Sequence, residues 1–348
     1  MNFQSKGENM DRWSSDAFAD QEIGKKVWRD IKGNLRYSYH PLYDWRPLPN
    51  QRLETIEINE YGLRSREISL QDNKIRCLLI GGSFPWGYGA SSNKFIPSYL
   101  IEDILKENNI NVSIINLADQ LYDSVQNVKS IIFSVNDLNP EVLLCVIGHN
   151  DIGRGFRGTY QSNVKYFEFM QFFDWGIRTG LINESSYLKK VLKVFVRGYK
   201  KFKQPEKEYF SFNCPGREDI PSKLLQNLMD NVNAICIYKK IKVVYVLQPF
   251  LYLKRNHSDY EKRFIAFRGS ERHKYFMSQL GILKDKFWND EQGKYSNVYY
   301  IDSTNFFDEY NESIFIDCAH LTDKGFRIWS KKVCERLIDF KIFKQPSL

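Results

Sequence analysis

The chain has 348 residues, of which 43% are hydrophobic and 15% aromatic, and its 50 Lys and Arg against 42 Asp and Glu give a formal net charge of +8. This length and hydrophobicity suffice for one large core or two modest ones, and they exclude a disordered or repeat protein. Because the positive charges are spread out, apart from a cluster near residues 189–207, we expect no nucleic-acid partner.

The first 16 residues, MNFQSKGENMDRWSSD, contain no apolar stretch, and no later segment approaches 18 unbroken apolar residues. We therefore expect a cytoplasmic protein, with neither an export signal nor a membrane span. Six cysteines lie far apart without metal-type spacing, which indicates reduced core or loop thiols. They are Cys77, Cys145, Cys214, Cys236, Cys318 and Cys334.

Residues 1–73 are predicted to form an N-terminal arm and a wrapping segment ahead of the main domain. Residues 1–35 have a helical pattern with Trp28 and Ile31 as its anchors. The stretch 40–47 is rich in turn residues and is predicted to be extended chain on the surface. A tight turn at 59–62 predicts a hairpin of two short strands, at 53–58 and 63–68.

Residues 74–348 alternate short apolar runs with helical patterns, which is typical of a five-stranded, doubly wound parallel sheet of the flavodoxin-like α/β class. Helix starts are predicted at Pro97, at Asp123 or Ser124, and after Thr322. The alternation breaks over residues 152–220, which we interpret as an inserted helical cap. The predicted strands are 75–80, 112–117, 142–147, 243–247 and 298–301, and further helices are predicted at 186–201, from 221, and over 259–286.

The first strand of this sheet ends abruptly in Gly81-Gly82-Ser83. Two glycines permit a sharp turn that exposes the serine at the carboxyl edge of the sheet, where such folds bind ligands. Ser83 is therefore a candidate nucleophile. A phosphate-binding loop is excluded because its lysine and hydroxyl are missing. An α/β-hydrolase elbow is excluded because Pro85 stands where the second glycine of G-x-S-x-G is needed.

Three later loops are predicted to converge on Ser83. Asp317 precedes His320 by three residues, so its carboxylate can fix the imidazole tautomer while the other ring nitrogen faces the serine. Asn150 follows the third strand and offers an amide donor to a developing oxyanion, although alone it is more simply a turn or helix cap. Backbone N–H groups within 116–126 could complete an oxyanion hole with that of Ser83.

These blocks, in this order, resemble the SGNH or GDSL hydrolase superfamily over roughly residues 53–338, the insertion excepted. The resemblance matches Ser83 to the nucleophile, Asn150 to the asparagine of G-x-N-D, and Asp317 and His320 to D-x-x-H. The chain is similar to a bacterial branch of the superfamily that has G-G-S in place of G-D-S. The resemblance implies a serine hydrolase that needs no cofactor or metal. Further matches are W-G-x-G at 86–89, I-P-S-Y-L at 96–100, N-x-x-G-x-R at 59–64 and Q-P at 248–249.

Two residues depart from the superfamily pattern. Gly82 replaces the usual aspartate, which removes a hydrogen bond that braces the serine loop. Leu121 stands where a glycine is expected, and leucine does not adopt positive φ cheaply, although its backbone N–H remains. We therefore expect an altered oxyanion hole.

The predicted function is a serine esterase that cleaves a short acyl ester, carried by a small molecule or a glycan, through an acyl-enzyme on Ser83. His320 is the predicted base and Asp317 orients it. Ser83, Leu121 and Asn150 are the predicted oxyanion hole, and Trp86 and His149 the predicted substrate contacts. One alternative is an O-acyltransferase or deacetylase acting on a surface glycan or its precursor. Another is a degenerate scaffold of the same fold that only binds. No oligomeric state is predicted.

Overall fold

The computed structural model describes residues 17–18, 21–40, 42–157, 220–268, 270–285 and 293–343. Within them, an antiparallel pair of short strands precedes a parallel sheet of five strands. The pair is β1 (Tyr37–His40) and β2 (Asp44–Pro47), and the sheet comprises β3 (Ile75–Ile80), β4 (Val112–Asn116), β5 (Val142–Ile147), β6 (Lys242–Leu247) and β7 (Val298–Asp302).

The strand order of the sheet is β4-β3-β5-β6-β7, with every pairing parallel. This is the doubly wound, flavodoxin-like arrangement, and it confirms the predicted fold class. The chain runs outward in both directions from β3, so the loop that follows β3 lies beside the point where the strand order reverses. Ligands of such sheets bind at that point.

Helices cover the sheet and begin where local signals predict. Pro97 occupies the first turn of its helix, where its missing N–H costs nothing. Asp123 caps the next helix by accepting from the N–H of Val125, and Thr322 caps the last by accepting from Gly325. The helices are α1 (Gln21–Arg29), α2 (Ser83–Trp86), α3 (Pro97–Glu107), α4 (Ser124–Leu138), α5 (His149–Arg157), α6 (Ile220–Lys239), α7 (Asp259–Arg268), α8 (Ser270–Leu283) and α9 (Asp323–Asp339).

The core lies on both faces of the sheet. Every residue of β5 is buried, as is all of β6 except Lys242. Such uniformly apolar strands are expected where helices cover both faces of a parallel sheet. Five of the six cysteines fall within the described residues, and all five are buried thiols.

The predicted hairpin over 53–58 and 63–68 is wrong. This stretch forms only a single bridge between Arg52 and Glu57, and the side chain of Asp30 fixes it by accepting hydrogen bonds from the N–H and hydroxyl of Thr55, at 2.7 and 2.8 Å. The tight turn itself is present, since the N–H of Gly62 donates to the carbonyl of Asn59 at 3.1 Å, but the segments on its two sides do not pair as strands.

The second half of the stretch 40–47 is not surface chain, because β2 is buried along its whole length. Trp45 is 1% exposed, and its indole N–H donates to the carbonyl of Gln120 at 3.1 Å. Asp44 accepts from Gln126 and Lys129 on α4, at 2.9 and 2.7 Å. The β1–β2 hairpin is therefore docked on the segment that leads into α4.

Several predictions concern residues outside the described ranges. They include most of the arm before residue 21 and, within the insertion, residues 158–219 with the helix at 186–201 and the basic cluster.

The charged stretch 259–286 forms α7 and α8, and Trp28 of α1 is buried, as predicted. None of the helices in the described segments combines the length and hydrophobicity that a bilayer crossing requires.

Candidate active site

Ser83 begins the one-turn helix α2 directly after the β3 turn. Gly81 has φ +149°, and a Cβ on it would lie 2.7 Å from the carbonyl oxygen of Val146 and 2.5 Å from Cγ of Pro85. Only glycine fits there, because both the backbone angle and the space exclude a side chain. The turn leaves Ser83 half-buried at the carboxyl edge of the sheet.

His320 reaches this edge from the loop between β7 and α9. Its Nε2 lies 2.6 Å from Oγ of Ser83, and its Nδ1 lies 2.7 Å from Oδ2 of Asp317. The predicted meeting of these three side chains is thus confirmed as geometry. With the Nδ1 proton donated to the carboxylate, Nε2 is left to accept the serine hydroxyl proton.

Asp317 is ionised by its surroundings. Burial alone would raise the pKa of its carboxyl group, but the opposing charge and hydrogen bond of His320 outweigh burial, and the pKa lies well below its usual range. The Oδ1 atom also accepts from the backbone N–H groups of Ala319 and His320, at 2.8 and 2.9 Å. The carboxylate is therefore fixed in both position and charge.

Buried side chains stabilise the loop that carries Asp317 and His320. Gln248, which is 6% exposed, donates to the carbonyl of Ala319 at 3.0 Å. Glu261 is fully buried and accepts from the N–H groups of residues 314–315, at 3.0 and 3.1 Å, while its other oxygen pairs with buried Lys254 at 2.6 Å. A buried ion pair that has these additional hydrogen bonds satisfies its charges and orders the loop.

Asn150 lies in the first turn of α5, beside the serine loop. Its amide nitrogen donates to the carbonyl of Tyr122 at 2.6 Å. A Cβ on Gly82 would lie 2.3 Å from that nitrogen and 2.9 Å from the same carbonyl. Residue 82 therefore has no room for a side chain, because the hydrogen-bonded Asn150 amide and Tyr122 carbonyl occupy that space. The second amide proton of Asn150 remains to meet a ligand.

Leu121 takes the backbone conformation of the glycine it replaces. Its φ is +65°, in a turn closed by the N–H of Tyr122 on the carbonyl of Asp119 at 3.3 Å. The positive φ at the third position is that of a type II turn, which favours glycine, and it costs leucine about 1 kcal/mol. The leucine thus adopts the positive φ that was expected to require glycine. The leucine side chain is 44% exposed.

The turn at 119–122 is tied to the serine loop and to the N-terminal hairpin. The N–H of Asp119 donates to the carbonyl of Gly81 at 3.3 Å, and the hydroxyl of Tyr122 donates to the carbonyl of Trp45 at 2.7 Å. Burial raises the pKa of Asp119 to about 7, although hydrogen bonds from Gln120 and Tyr37 partly oppose that shift. A titrating carboxyl group thus lies two residues from Leu121.

The two predicted substrate contacts occupy different places. Trp86 is 1% exposed, and its ring lies under the guanidinium of Arg64 at 4.7 Å, so this position does not support a substrate contact. His149 is half-buried, with its ring centroid 6.5 Å from that of His320 and 5.2 Å from that of Phe276. His149 therefore lies beside the imidazole of His320.

Sequence reasoning missed two residues that shape the serine loop. Arg64 is fully buried and donates to the carbonyl of Gly87 at 2.8 Å, and burial lowers its pKa to about 9. Asn116, also fully buried, donates to the carbonyls of Arg64 and Pro85, at 3.2 and 3.1 Å. The signal for Arg64 was the N-x-x-G-x-R turn, whose partner could not be identified without coordinates.

The arrangement provides a hydroxyl, a hydrogen-bonded imidazole, an ionised carboxylate and an adjacent amide donor. These groups suit removal of a proton from Ser83 and attack of its oxygen on an electrophilic carbon. Among the described residues, no group of three or more His, Cys, Asp or Glu side chains is placed to bind a metal ion.

No protein-family model matches the chain, and no curated protein matches it. Solved structures do match. An acetyl xylan esterase, AlAXEase, has 15% identity and a TM-score of 0.43 over 76% of this chain and 100% of its own. The lipase/acylhydrolase from Enterococcus faecalis has 11% identity and a TM-score of 0.43 over 79% of this chain and 100% of its own. TesA has 11% identity and a TM-score of 0.41 over 76% of this chain and 99% of its own. At such low identities and TM-scores, a function for this chain has to be argued from the geometry of its own site.

Proposed function

We propose that this protein is a serine hydrolase of the SGNH type that cleaves an ester through an acyl-enzyme on Ser83. The observation that carries the proposal is the 2.6 Å contact between Oγ of Ser83 and Nε2 of His320, continued at 2.7 Å to Asp317. This is the order of groups that nucleophilic acyl transfer requires: a nucleophile, its base, and an anion that orients the base.

The reaction proceeds in two halves. In the first, His320 removes the hydroxyl proton of Ser83 as the serine oxygen bonds to the carbonyl carbon, and the imidazolium returns that proton to the departing alcohol as the ester bond breaks. In the second, water loses a proton to His320 and attacks the acyl-enzyme, and Ser83 recovers its proton. Asp317 stays ionised throughout and stabilises the imidazolium.

The negative oxygen formed in each half needs donors. We assign this role to the backbone N–H groups of Ser83 and Leu121 and to the second amide proton of Asn150. Neither backbone group has a hydrogen-bond acceptor among the described residues. The first amide proton of Asn150 fixes the side chain on the Tyr122 carbonyl, which orients the second one. Each such donor typically contributes about 10²–10³ in rate.

A scaffold that only binds is the less economical interpretation. It was suggested by Gly82 and Leu121, yet Asn150 packs against Gly82, and Leu121 keeps the left-handed backbone that the turn requires. A protein without catalysis would have no use for a connected serine, imidazole and carboxylate. We extend the proposal to a short acyl group on a small molecule or glycan, with hydrolysis favoured over transfer to a second hydroxyl.

The proposal is tested with p-nitrophenyl acetate and with acetylated sugars. Ser83→Ala should lower kcat by about 10⁴-fold or more while leaving the fold intact. Ser92→Ala is the matched control, since Ser92 lies in the same loop region and makes no side-chain cap hydrogen bond. Turnover that survives in Ser83→Ala, or that falls equally in Ser92→Ala, contradicts the proposal. Added sugar acceptors that divert the acyl group from water would instead indicate a transferase.

A further inference from the structure

Tyr88 contacts His320 through its ring and Ser83 through its backbone. Its ring centroid lies 4.3 Å from that of His320, with 33° between the ring planes. Its backbone N–H donates to the carbonyl of Ser83 at 2.9 Å. Tyr88 is half-buried, so one face of its ring covers the imidazole. No other described aromatic ring pair that includes His320 is as close, the next being His149 at 6.5 Å.

The loop around Tyr88 is shaped to place its ring there. Gly87 and Gly89 have φ values of +88° and +96°. A Cβ on Gly87 would lie 2.3 Å from Cγ2 of Ile96, and one on Gly89 would lie 2.3 Å from Cδ1 of Ile316. These two left-handed positions, one on each side of Tyr88 and each without space for a side chain, turn Tyr88 toward His320. The two glycines of the W-G-x-G pattern thus determine where the ring of Tyr88 lies.

A buried cation secures the base of this loop. The guanidinium of Arg64 donates to the Gly87 carbonyl at 2.8 Å, to Oδ1 of Asn93 at 2.9 Å and to the Thr55 carbonyl at 3.0 Å. Because these three acceptors come from different segments, the loop cannot move without breaking buried hydrogen bonds.

The N-terminal helix supports Tyr88 from the other side. Trp28 of α1 is 9% exposed, and its ring centroid lies 5.6 Å from that of Tyr88, edge to face at 66°. Three rings therefore run in sequence, from Trp28 through Tyr88 to His320. The Trp28–Tyr88 pair has the centroid distance and edge-to-face angle at which aromatic pairs attract each other beyond simple burial.

We infer that Tyr88 is a positioning residue for His320, and that α1, through Trp28, is part of the support of the active site. The inference rests on the proposed function. The stacked tyrosine ring restricts rotation of the imidazole, so that Nε2 stays on the Ser83 hydroxyl while Nδ1 stays on Asp317. Its π face also favours the imidazolium that forms during each half-reaction. The phenol hydroxyl has no part in this role.

The test compares Tyr88→Phe with Tyr88→Leu in the full chain. Phenylalanine keeps the ring and should retain kcat for p-nitrophenyl acetate within about twofold. Leucine keeps an apolar side chain but loses the ring, and kcat should fall about 3- to 10-fold with little change in KM, as expected for loss of one aromatic pair. Trp28→Leu should lower kcat by a smaller factor in the same direction.

Tyr299→Leu is the matched control, because Tyr299 stacks on Phe340 at 5.6 Å in another part of the molecule. It should leave kcat unchanged. A fall of kcat in Tyr88→Phe as large as in Tyr88→Leu, or unchanged kcat in Tyr88→Leu, overturns the inference. Ser83→Ala is measured in the same series. If it abolishes turnover while the Tyr88 variants give one of these two results, the proposed function stands and only the inference about Tyr88 fails.

A measurement on the resting wild-type protein keeps the inference falsifiable should the leucine variant not fold. The ring protons of His320 should give NMR cross-peaks to the Tyr88 ring and be displaced upfield by its ring current. Both signatures should persist in Tyr88→Phe. Their absence from the folded wild-type protein overturns the inference.

Discussion

Nε2 of His320 lies 2.6 Å from Oγ of Ser83, although 237 positions of the chain separate the two residues. The parallel sheet brings them together, because the loop after β3 and the loop before α9 reach the same carboxyl edge. Each residue also has its own support. Ser83 depends on a turn that only Gly81 permits, and His320 on a carboxylate three residues before it.

Asp317→Asn tests the orienting role of the carboxylate. The amide cannot hold the imidazole in the tautomer that leaves Nε2 free, so kcat should fall by about 10³–10⁴-fold with KM little affected. Steady-state kinetics on p-nitrophenyl acetate provide the measurement. Asp308→Asn, which loses a pairing with the exposed side chain of Arg255, is the control and should keep full activity. Equal kcat in Asp317→Asn and the wild type would refute the assigned role.

Gly82→Ala tests whether Asn150 and Gly82 share one space. The new methyl group would lie 2.3 Å from the Asn150 amide nitrogen, so the amide must move away from the serine loop. We expect kcat to fall by about 10²-fold, the effect of losing one oxyanion donor. Gly33→Ala is the control, because its Cβ would meet nothing within 4 Å. An alanine at position 82 that leaves kcat intact would show that Asn150 has no part in catalysis.

The left-handed backbone at residue 121 predicts that a glycine variant is more stable than an alanine variant, which is the reverse of their order in a helix. Leu121→Gly should be more stable than Leu121→Ala by about 0.5–1 kcal/mol, since only glycine adopts φ +65° without steric cost. At Ile132, exposed on α4, the order should reverse, with Ile132→Gly less stable than Ile132→Ala by about 1 kcal/mol. Urea unfolding of the four variants measures both differences. The same order at both positions would rule out the turn described here.

Asp119 predicts how stability depends on pH. Its pKa is raised to about 7 in the folded chain, against about 3.9 in an unfolded one. Between these values the unfolded state releases a proton that the folded state keeps, so the free energy of unfolding should fall as pH rises from about 4 to about 7. The contribution approaches 1.4 kcal/mol per pH unit and then levels off.

Asp119→Asn should remove this contribution. Urea unfolding at pH 4.5, 5.5 and 6.5 should give a shallower decline in the variant than in the wild type. A residual slope is expected, because burial also raises the pKa of Asp151 to about 6. Identical slopes in the two proteins would mean that Asp119 does not titrate in this range.

The sheet and the meeting of the proposed catalytic residues were predictable because their signals are local. Each strand is a short apolar run, and Asp123 and Thr322 cap their helices through the side chains that the sequence suggests. Asp317 and His320 are three residues apart, so one turn determines their geometry. The predicted sheet class then implied that this turn meets Ser83.

The remaining features depend on long-range contacts that no local pattern encodes. The burial of the N-terminal hairpin depends on Trp45 and Asp44, whose partners near α4 lie 75 and 82 positions away along the chain. Trp86 was assigned to the substrate because of its motif, whereas the motif serves to place Tyr88. Which aromatic of such a motif faces the site depends on backbone angles of its glycines.

The most direct test of the account is to trap the nucleophile. The folded protein is incubated with a fluorophosphonate, and the modified residue is located by peptide mass spectrometry. We predict one adduct, on Ser83, that is absent in Ser83→Ala and forms far more slowly in His320→Ala. A folded wild-type protein that forms no adduct, or that carries it on another residue, would contradict the assignment of Ser83 and His320 as nucleophile and base.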